Sequence, residues 1–194
     1  MRVVLASNNA GKLRELANLL ADADIELVPQ GELGVEAAPE TAPTFVENAL
    51  IKARHAAAET GLAAIADDSG LEVEALGGAP GVYTARFAGE PSDDAANNAK
   101  LLDHLQDVPP AERTARFRAV LVYLRAADDP APIIAEGIWD GRIALEPRGD
   151  GGFGYDPLFE LPDGRTSAEL PADEKGRLSH RGQALAALRA RLTP

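Results

Sequence analysis

The sequence contains no cysteine, and none of its apolar stretches approaches the length of a membrane-spanning helix. Without cysteine, disulfide bonds and thiolate metal sites are both excluded. A spanning helix needs ~20 consecutive apolar residues, so we expect no membrane partner. Residues 1–7 run directly into an apolar, strand-like segment and lack the length and small-residue cleavage site of a signal peptide. These absences predict a cytoplasmic protein.

Positive charge is also scarce. Lysine and arginine total 19 against 31 aspartate and glutamate residues, which gives a formal net charge of −12. Such a surface repels the phosphate backbone of nucleic acids at long range, so we expect no nucleic-acid partner. A small nucleotide could still bind if the few cations were concentrated in one cleft, and the anionic remainder would suit a divalent cation. Charge alone decides neither point.

What the sequence does contain is the composition of a globular protein. Its 194 residues are 45% hydrophobic and 26% charged, which fits one domain, 1–194, or two small lobes that share a core. Apolar periodicity predicts strands that alternate with helices, and therefore an α/β fold. A hairpin-like middle favours a mixed sheet over a purely parallel one. The predicted strands are 3–6, 25–28, 63–66, 71–76, 117–124 and 133–139, and the predicted helices are 12–20, 45–59, 93–105 and 179–192.

A polar loop follows the first predicted strand and is the first candidate site. Its residues are Ser7, Asn8, Asn9, Ala10, Gly11 and Lys12. Backbone N–H groups at the start of a helix favour anions, and Lys12 adds a full positive charge. The loop is not a Walker A motif, which needs glycine in place of Ala6 and serine or threonine in place of Leu13. The alternative is an ordinary strand-to-helix turn with a serine or asparagine cap.

Two adjacent carboxylates come directly after the predicted strand 63–66 and form the second candidate. Asp67 and Asp68 are followed by Ser69 and Gly70, a composition typical of an acidic turn. Successive side chains at the end of a strand point to opposite faces, so the two carboxylates should have different roles. One of them could hold a hard cation or accept a proton from water.

A glycine-rich segment with aromatic residues, 151–157, is the third candidate. Glycines beside Phe153 and Tyr155 can make a surface on which a flat base stacks, and Asp156 could accept hydrogen bonds from ring N–H groups. The alternative is a glycine-rich turn whose aromatic side chains belong to the core.

The fourth candidate is a group of cations near the start of the last predicted helix. Lys175 precedes Ser179, His180 and Arg181, and together with helix N–H groups they can form a cationic, hydrogen-bonding corner. The alternative is a helix cap with solvated charges.

Taken together, the four candidates supply phosphate binders, a metal carboxylate, a base platform and cations, which favours a nucleotide site. The sequence also resembles the ITP/XTP pyrophosphatases, the non-canonical purine NTP pyrophosphatases or Ham1-like family, over nearly its whole length. The first loop departs from the family's usual Thr-Gly-Asn by having Ser7-Asn8-Asn9, and Ala42 stands where many relatives carry glycine. The matching segments are 7–12, 44–49, 66–71, 76–83, 151–157 and 179–182.

The resemblance implies an elongated mixed β-sheet flanked by helices, with two lobes and a central nucleotide cleft. It also implies a homodimer that requires Mg²⁺ and converts ITP, dITP and XTP to the monophosphate and pyrophosphate, which cleanses the nucleotide pool. The nearest alternative is a Maf-like pyrophosphatase that acts on pyrimidine or modified nucleotides. An alternative from another class is a catalytically silent nucleotide-binding protein.

The resemblance further implies a role for each candidate residue. Asp68, helped by Glu40, would hold Mg²⁺, and Asp68 would be the catalytic base for attack at the α-phosphorus. The loop 7–12, Ser69 and Lys175 would bind the phosphates. Donors aimed at the 6-oxo group of hypoxanthine or xanthine would reject adenine, which carries an amino group there. The base pocket would consist of Phe153, Gly154, Tyr155, Asp156, His180 and Arg181.

Overall fold

The computed structural model describes residues 1–20 and 25–192 and contains one six-stranded sheet. Its strands β1 to β6 are Arg2–Leu5, Glu26–Pro29, Ala63–Val73, Thr114–Leu124, Ile133–Ile143 and Phe159–Glu160. Their order in the sheet is β2-β1-β3-β4-β5-β6. β1 is parallel to β2 and to β3, whereas β5 and β6 are antiparallel, which confirms the prediction of a mixed sheet.

Five α-helices accompany the sheet in the described part of the chain. Helices α1 to α5 are Ala10–Leu19, Phe45–Thr60, Asp94–His104, Ala172–Leu178 and His180–Leu192. The predicted α/β class is therefore confirmed, although the sequence pattern did not predict α4. None of the described helices is both long and apolar enough to cross a membrane.

The first two helices begin at residues whose side chains cap them. Asn9 accepts a hydrogen bond from the backbone N–H of Lys12 at 3.0 Å and so fixes the start of α1. The hydroxyl of Thr44 accepts from the backbone N–H of Glu47 at 3.3 Å at the start of α2. α2 ends at Gly61, whose φ of 68° is the left-handed conformation that glycine adopts most easily.

One prediction about the second candidate site is wrong. The segment Asp67 to Gly70 is not a turn between two strands, because β3 runs without interruption from Ala63 to Val73. The turn was predicted from composition, since aspartate and glycine are depleted in strands. Both carboxylates are nevertheless buried, with 1% of Asp67 and 5% of Asp68 exposed. A buried carboxylate is tolerated in a strand when cations pair with it, and such cations are present here.

The chain divides into two compact units, each with its own hydrophobic core. The first unit comprises residues 1–20, 25–68, 119–137 and 181–192, and the second comprises 69–118 and 138–180. The first core is built from aliphatic side chains of β1, β3, β4, α1 and α5, among them Val3, Leu5, Leu16, Ile65, Leu121, Leu185 and Leu188. The second core is more aromatic and includes Leu71, Leu101, Phe117, Trp139, Tyr155, Leu158 and Phe159.

Candidate active site

The loop between β1 and α1 is ordered by its own side chains. The backbone N–H of Asn9 donates to the hydroxyl of Ser7 at 3.2 Å, and Asn9 in turn caps α1. The side-chain oxygen of Asn8 accepts from the amide of Gln30 at 3.2 Å. The capping proposed as the ordinary alternative for this loop is therefore present. Capping does not oppose anion binding, because the helix dipole still favours negative charge at this end.

Lys12 meets Asp67, a buried carboxylate of the second candidate for which no specific role was predicted. Its ammonium lies 2.6 Å from Oδ1 of Asp67, and Nε of Arg181 donates to Oδ2 of Asp67 at 3.0 Å. Arg181 is also paired with Glu15 of α1. Asp67 thus joins one residue of α1 to one residue of α5. The doubled aspartate was the sequence signal for this residue, since two adjacent strand residues face opposite sides, but it did not reveal which cations would pair with Asp67.

The charges of this cluster shift the pKa values of its members. Burial alone would raise the pKa of Asp67, but the positive charges of Arg181 and Lys12 outweigh it and hold this pKa well below its ordinary value. Burial lowers the pKa of Lys12, and the negative charge of Asp67 opposes that shift. The cluster is therefore a set of mutually stabilised charges and not a solvated surface pair.

Lys52 of α2 is a residue of the site that the sequence did not predict. Its ammonium donates to Oε1 of Glu40 at 2.7 Å, to Oδ1 of Asp68 at 2.8 Å and to the backbone carbonyl of Asp67 at 2.7 Å. These three acceptors match the three N–H donors of a lysine. The available signal was its position on the helix, because Lys52 shares the buried face of α2 with Ala49, Ala53 and Ala56.

The two carboxylates predicted to bind metal are thus brought together, with Lys52 between them. Burial would lower the pKa of Lys52, but the charges of Asp68 and Glu40 raise it above its ordinary value. Burial raises the pKa of Asp68, although Lys52 opposes this. Oδ2 of Asp68 is buried and has no hydrogen-bond partner among the described residues. A buried carboxylate oxygen without a partner suits a ligand that the protein itself does not supply.

In the second unit, Asp156 is surrounded by donors. Its Oδ2 accepts from the backbone N–H of Phe153 at 2.8 Å and from Lys175 at 2.6 Å, and its Oδ1 accepts from the hydroxyl of Ser167 at 2.8 Å. The ammonium of Lys175 lies 5.1 Å from the ring centre of Phe153. Gly152 is required here, because a Cβ at this position would lie 2.0 Å from Oδ2 of Asp156. The structure therefore joins three of the predicted residues in one cluster.

The two aromatic residues of the glycine-rich segment differ in burial. Tyr155 is 3% exposed, belongs to the core of the second unit and donates its hydroxyl hydrogen to the carbonyl of Thr84 at 2.8 Å. Burial raises the pKa of this phenol. Phe153 is only half-buried. Gly154 is anchored to α3, since its N–H donates to Asp94 at 2.7 Å and its carbonyl accepts from Asn98 at 2.9 Å.

The charges of residues 179–181 are not solvated, although the alternative interpretation of this segment required them to be. Ser179, His180 and Arg181 are 1%, 5% and 2% exposed. The ring of His180 stacks on Phe117, with 4.7 Å between ring centres and 12° between planes. His180 lies in the second unit and Arg181 in the first, so these neighbours in sequence serve different clusters.

Seven of the predicted residues fall into two groups. Lys12, Glu40, Asp68 and Arg181 lie in the charged network of the first unit, together with Asp67 of the second candidate and the unpredicted Glu15 and Lys52. Phe153, Asp156 and Lys175 form the cluster of the second unit, whose unpredicted member is Ser167. Among the described residues, no group of three or more histidine, aspartate or glutamate side chains is arranged to hold a metal ion. A metal here would rely on one or two carboxylates and on substrate oxygens, as Mg²⁺ commonly does.

Comparison with known proteins gives consistent matches over almost the whole chain. A dITP/XTP pyrophosphatase of Thioalkalivibrio sulfidiphilus is 60% identical over 193 residues, which cover 99% of this chain and 98% of the relative. A dITP/XTP pyrophosphatase of Escherichia coli O157:H7 is 60% identical over 95% of this chain and 94% of its own length. The solved structure of a HAM1 protein from Coxiella burnetii superposes with a TM-score of 0.91 at 50% identity, covering 100% of this chain and 98% of that one. The sequence model of the Ham1 family matches residues 3–191, and the chain therefore belongs to the Ham1 family.

Proposed function

We propose that this protein is a nucleoside triphosphate pyrophosphatase that hydrolyses dITP, ITP and XTP to the monophosphate and pyrophosphate. Relatives at 60% identity over nearly the full length carry the name dITP/XTP pyrophosphatase, which supports this activity over the Maf-like alternative. The observation that carries the proposal is the buried Asp68, which has one oxygen bonded to Lys52 and the other without a partner among the described residues. The product would be a deaminated purine nucleotide withdrawn from the pool of DNA and RNA precursors.

The residues of the first unit fit a divalent cation. Asp68 offers a buried oxygen without a protein partner in the described chain, and Glu40 reaches the same lysine as Asp68. Carboxylate oxygens are the ligands that Mg²⁺ prefers, and one or two carboxylates suffice when phosphates complete the coordination. Asp68 and Glu40 would hold Mg²⁺, which when bound polarises phosphoryl oxygens and lowers the pKa of a bound water.

The side chains of the first unit would also act on the phosphates directly. Lys12 and the N–H groups at the start of α1 would offset the negative charge of the triphosphate, with Ser7, Asn8 and Asn9 shaping the loop. Asp68 would accept the proton of the attacking water.

In the second unit, Phe153, Gly154, Tyr155, Asp156 and His180 are proposed to recognise the purine. Phe153 is half-buried and offers part of a ring face for stacking, while the tie from Tyr155 to Thr84 holds the segment in place. Lys175 would offset phosphate charge, and the hydroxyl of Ser69 would donate a hydrogen bond to a phosphate oxygen. Arg181 is proposed to favour a 6-oxo group over a 6-amino group.

Two further features are proposed from the family resemblance. We expect a homodimer, which sedimentation velocity on the purified protein would detect as a species of twice the chain mass.

We also expect the protein to act in the cytoplasm, where fractionation of cells would recover the pyrophosphatase activity.

A pyrophosphate-release assay with Mg²⁺ across dITP, ITP, XTP, dATP and dGTP tests the function. We expect pyrophosphate and monophosphate from the first three, and we expect Asp68→Asn to lower kcat by roughly 10²–10⁴-fold because the base is lost. Asp163→Asn, at an exposed aspartate paired with Arg165, is the control and should retain full activity. Release of single phosphates, or binding of ITP without turnover by the unaltered protein, would contradict the proposal.

A further inference from the structure

One face of α2 carries three polar side chains at helical spacing. Asn48, Lys52 and His55 are separated by four and three residues, so they lie one above the other on the same side of the helix. Each contacts a different residue of the segment 35–43, here called the Glu40 loop. Asn48 contacts Ala42, Lys52 contacts Glu40 and His55 contacts Glu36. The loop is thus fastened to the helix at three points along its length.

Asn48 makes two hydrogen bonds to the loop. Its side chain is fully buried, and its Oδ1 accepts from the backbone N–H of Ala42 at 2.9 Å. Its Nδ2 donates to the backbone carbonyl of the same residue at 3.1 Å. One amide therefore satisfies both backbone groups of Ala42, much as a neighbouring strand would. Aspartate could not do this, because it lacks the donor.

The Glu40 loop is irregular and mostly exposed, with a backbone hydrogen bond from the N–H of Val35 to the carbonyl of Gln30 at its start. No residue from 35 to 41 belongs to a helix or strand, and Val35 is the one buried residue in that range. A long, irregular surface segment of this kind is mobile unless its backbone is tied down. Glu40 lies two residues from Ala42, so the clamp at Ala42 limits where its carboxylate can go. At the third tie, Nε2 of His55 lies 3.0 Å from the carbonyl of Glu36.

We infer that Asn48 is a positioning residue that delivers Glu40 to the metal beside Asp68, with His55 anchoring the far end of the loop. The inference rests on the proposed metal role of Glu40. Groups that orient metal ligands strongly affect affinity although they do not touch the metal, because a freely moving ligand must be ordered each time the metal binds. Asn48 would act in the same way on a carboxylate carried by an irregular loop.

The test compares Asn48→Ala, Glu40→Gln and the double variant in a Mg²⁺ titration of ITP hydrolysis. Asn48→Ala should raise the half-saturating Mg²⁺ concentration by roughly tenfold or more. The double variant should require no more Mg²⁺ than Glu40→Gln alone, because Asn48 acts through Glu40 and the two effects do not add. An unchanged Mg²⁺ requirement in Asn48→Ala, or additive effects in the double variant, would overturn the inference. If Glu40→Gln itself left the Mg²⁺ requirement unchanged, the proposed metal role would fail instead.

Hydrogen exchange on the metal-free protein gives a second readout that does not depend on activity. Peptides covering residues 35–43 should exchange faster in Asn48→Ala, since the N–H of Ala42 loses its acceptor. His55→Ala removes a half-buried side chain and should keep the fold even if Asn48→Ala does not. It should speed exchange at the start of the same segment, and unchanged exchange in both variants would contradict the inference.

The second unit contains a matched control. Asn97 is 1% exposed, accepts from the N–H of Ala88 at 2.7 Å and donates to the carbonyl of Ala85 at 3.0 Å. Asn97→Ala therefore removes a buried asparagine clamp of the same chemistry that does not touch the Glu40 loop. It should lower thermal stability to a similar extent while leaving the half-saturating Mg²⁺ concentration as it is. If Asn97→Ala raised the half-saturating Mg²⁺ concentration as much as Asn48→Ala, the effect would be explained by general destabilisation. That result would overturn the inference.

Discussion

At the scale of single residues, the two adjacent aspartates of β3 illustrate how neighbouring positions acquire different chemistry. Asp67 is surrounded by Lys12 and Arg181, and its pKa falls. Burial raises the pKa of Asp68, although the positive charge of Lys52 opposes this shift. The first is fixed in its charged form and organises cations, whereas the second is closer to accepting a proton. This division follows from the alternation of a strand, once both side chains are buried.

Asp67→Asn should destabilise the folded protein strongly. The change leaves Lys12 and Arg181 without their shared carboxylate, and removing one partner of a buried ion pair costs about 3–5 kcal/mol. Urea unfolding in metal-free buffer measures this cost. Asp163→Asn, which alters an exposed ion pair, is the control and should cause a much smaller loss. A loss no larger than that of the control would contradict a stabilising role for Asp67.

The difference in unfolding free energy between wild type and Asp67→Asn has a defined pH dependence. Because the folded-state pKa of Asp67 lies below its ordinary value of 3.8, the carboxylate stabilises the folded state above that value. The stabilisation is lost only as the pH falls from 3.8 towards the lower folded-state pKa. The difference in unfolding free energy between wild type and Asp67→Asn should therefore stay constant from about pH 7 to about pH 5. A difference that declined within this window would point to another group.

Arg181→Ala should erode the preference for ITP over ATP. If Arg181 favours the 6-oxo group, its loss should lower the ratio of the two kcat/KM values by about tenfold. The ratio is the decisive quantity, because Arg181 also pairs with Asp67 and Glu15 and its removal will lower both activities through the fold. Arg165→Ala removes an arginine that likewise pairs with two carboxylates, Asp163 and Glu174, and should leave the ratio unchanged. An unchanged ratio in Arg181→Ala would remove this residue from base recognition.

At the scale of elements, the predictable parts of the fold are those set by local chemistry. The capping pair Thr44 and Glu47 predicts the start of α2, and the structure has it there. The apolar run at residues 3–6 corresponds to β1, Arg2–Leu5. β3 could not be predicted in full, because a turn-like composition at Asp67 to Gly70 is overridden by partners distant in sequence. Lys52 and Arg181 are 15 and 114 residues away from Asp67, and no local pattern reveals them.

The candidate site shows the same limit. The resemblance names the residues that would touch a nucleotide, whereas the roles of Lys52, Asp67 and Asn48 become visible only once the chain is folded. Each is a buried polar residue whose partners lie on another element. Burial of polar groups is costly unless they are paired, so such residues identify the parts of the fold that fix the site. Sequence patterns predict elements, and tertiary pairing determines which charges meet.

At the scale of the whole molecule, the charge distribution matches the expectation from composition. Cations are few, yet Lys52, Lys175 and Arg181 are at least nine-tenths buried, and each is paired with a carboxylate of a candidate cluster. These three cations lie inside the two units, whereas most of the other lysine and arginine side chains are at least partly exposed. The net charge of the chain is −12, and the buried cations of the two candidate clusters do not face solvent.

This distribution predicts that the protein discriminates a free nucleotide from a nucleic acid. A duplex presents a long array of phosphates, and proteins that bind it non-specifically do so through exposed cations with Kd of about 10⁻⁴–10⁻⁶ M. Fluorescence anisotropy with a labelled duplex should show no binding up to about 100 µM protein at roughly 0.15 M salt. A labelled dITP analogue that cannot be hydrolysed provides the positive control for binding to the same protein. A rise in duplex anisotropy that weakened steeply with added salt would mean that cations on the surface outweigh the acidic total. That result would contradict the expectation that the net negative surface repels the phosphates of a duplex.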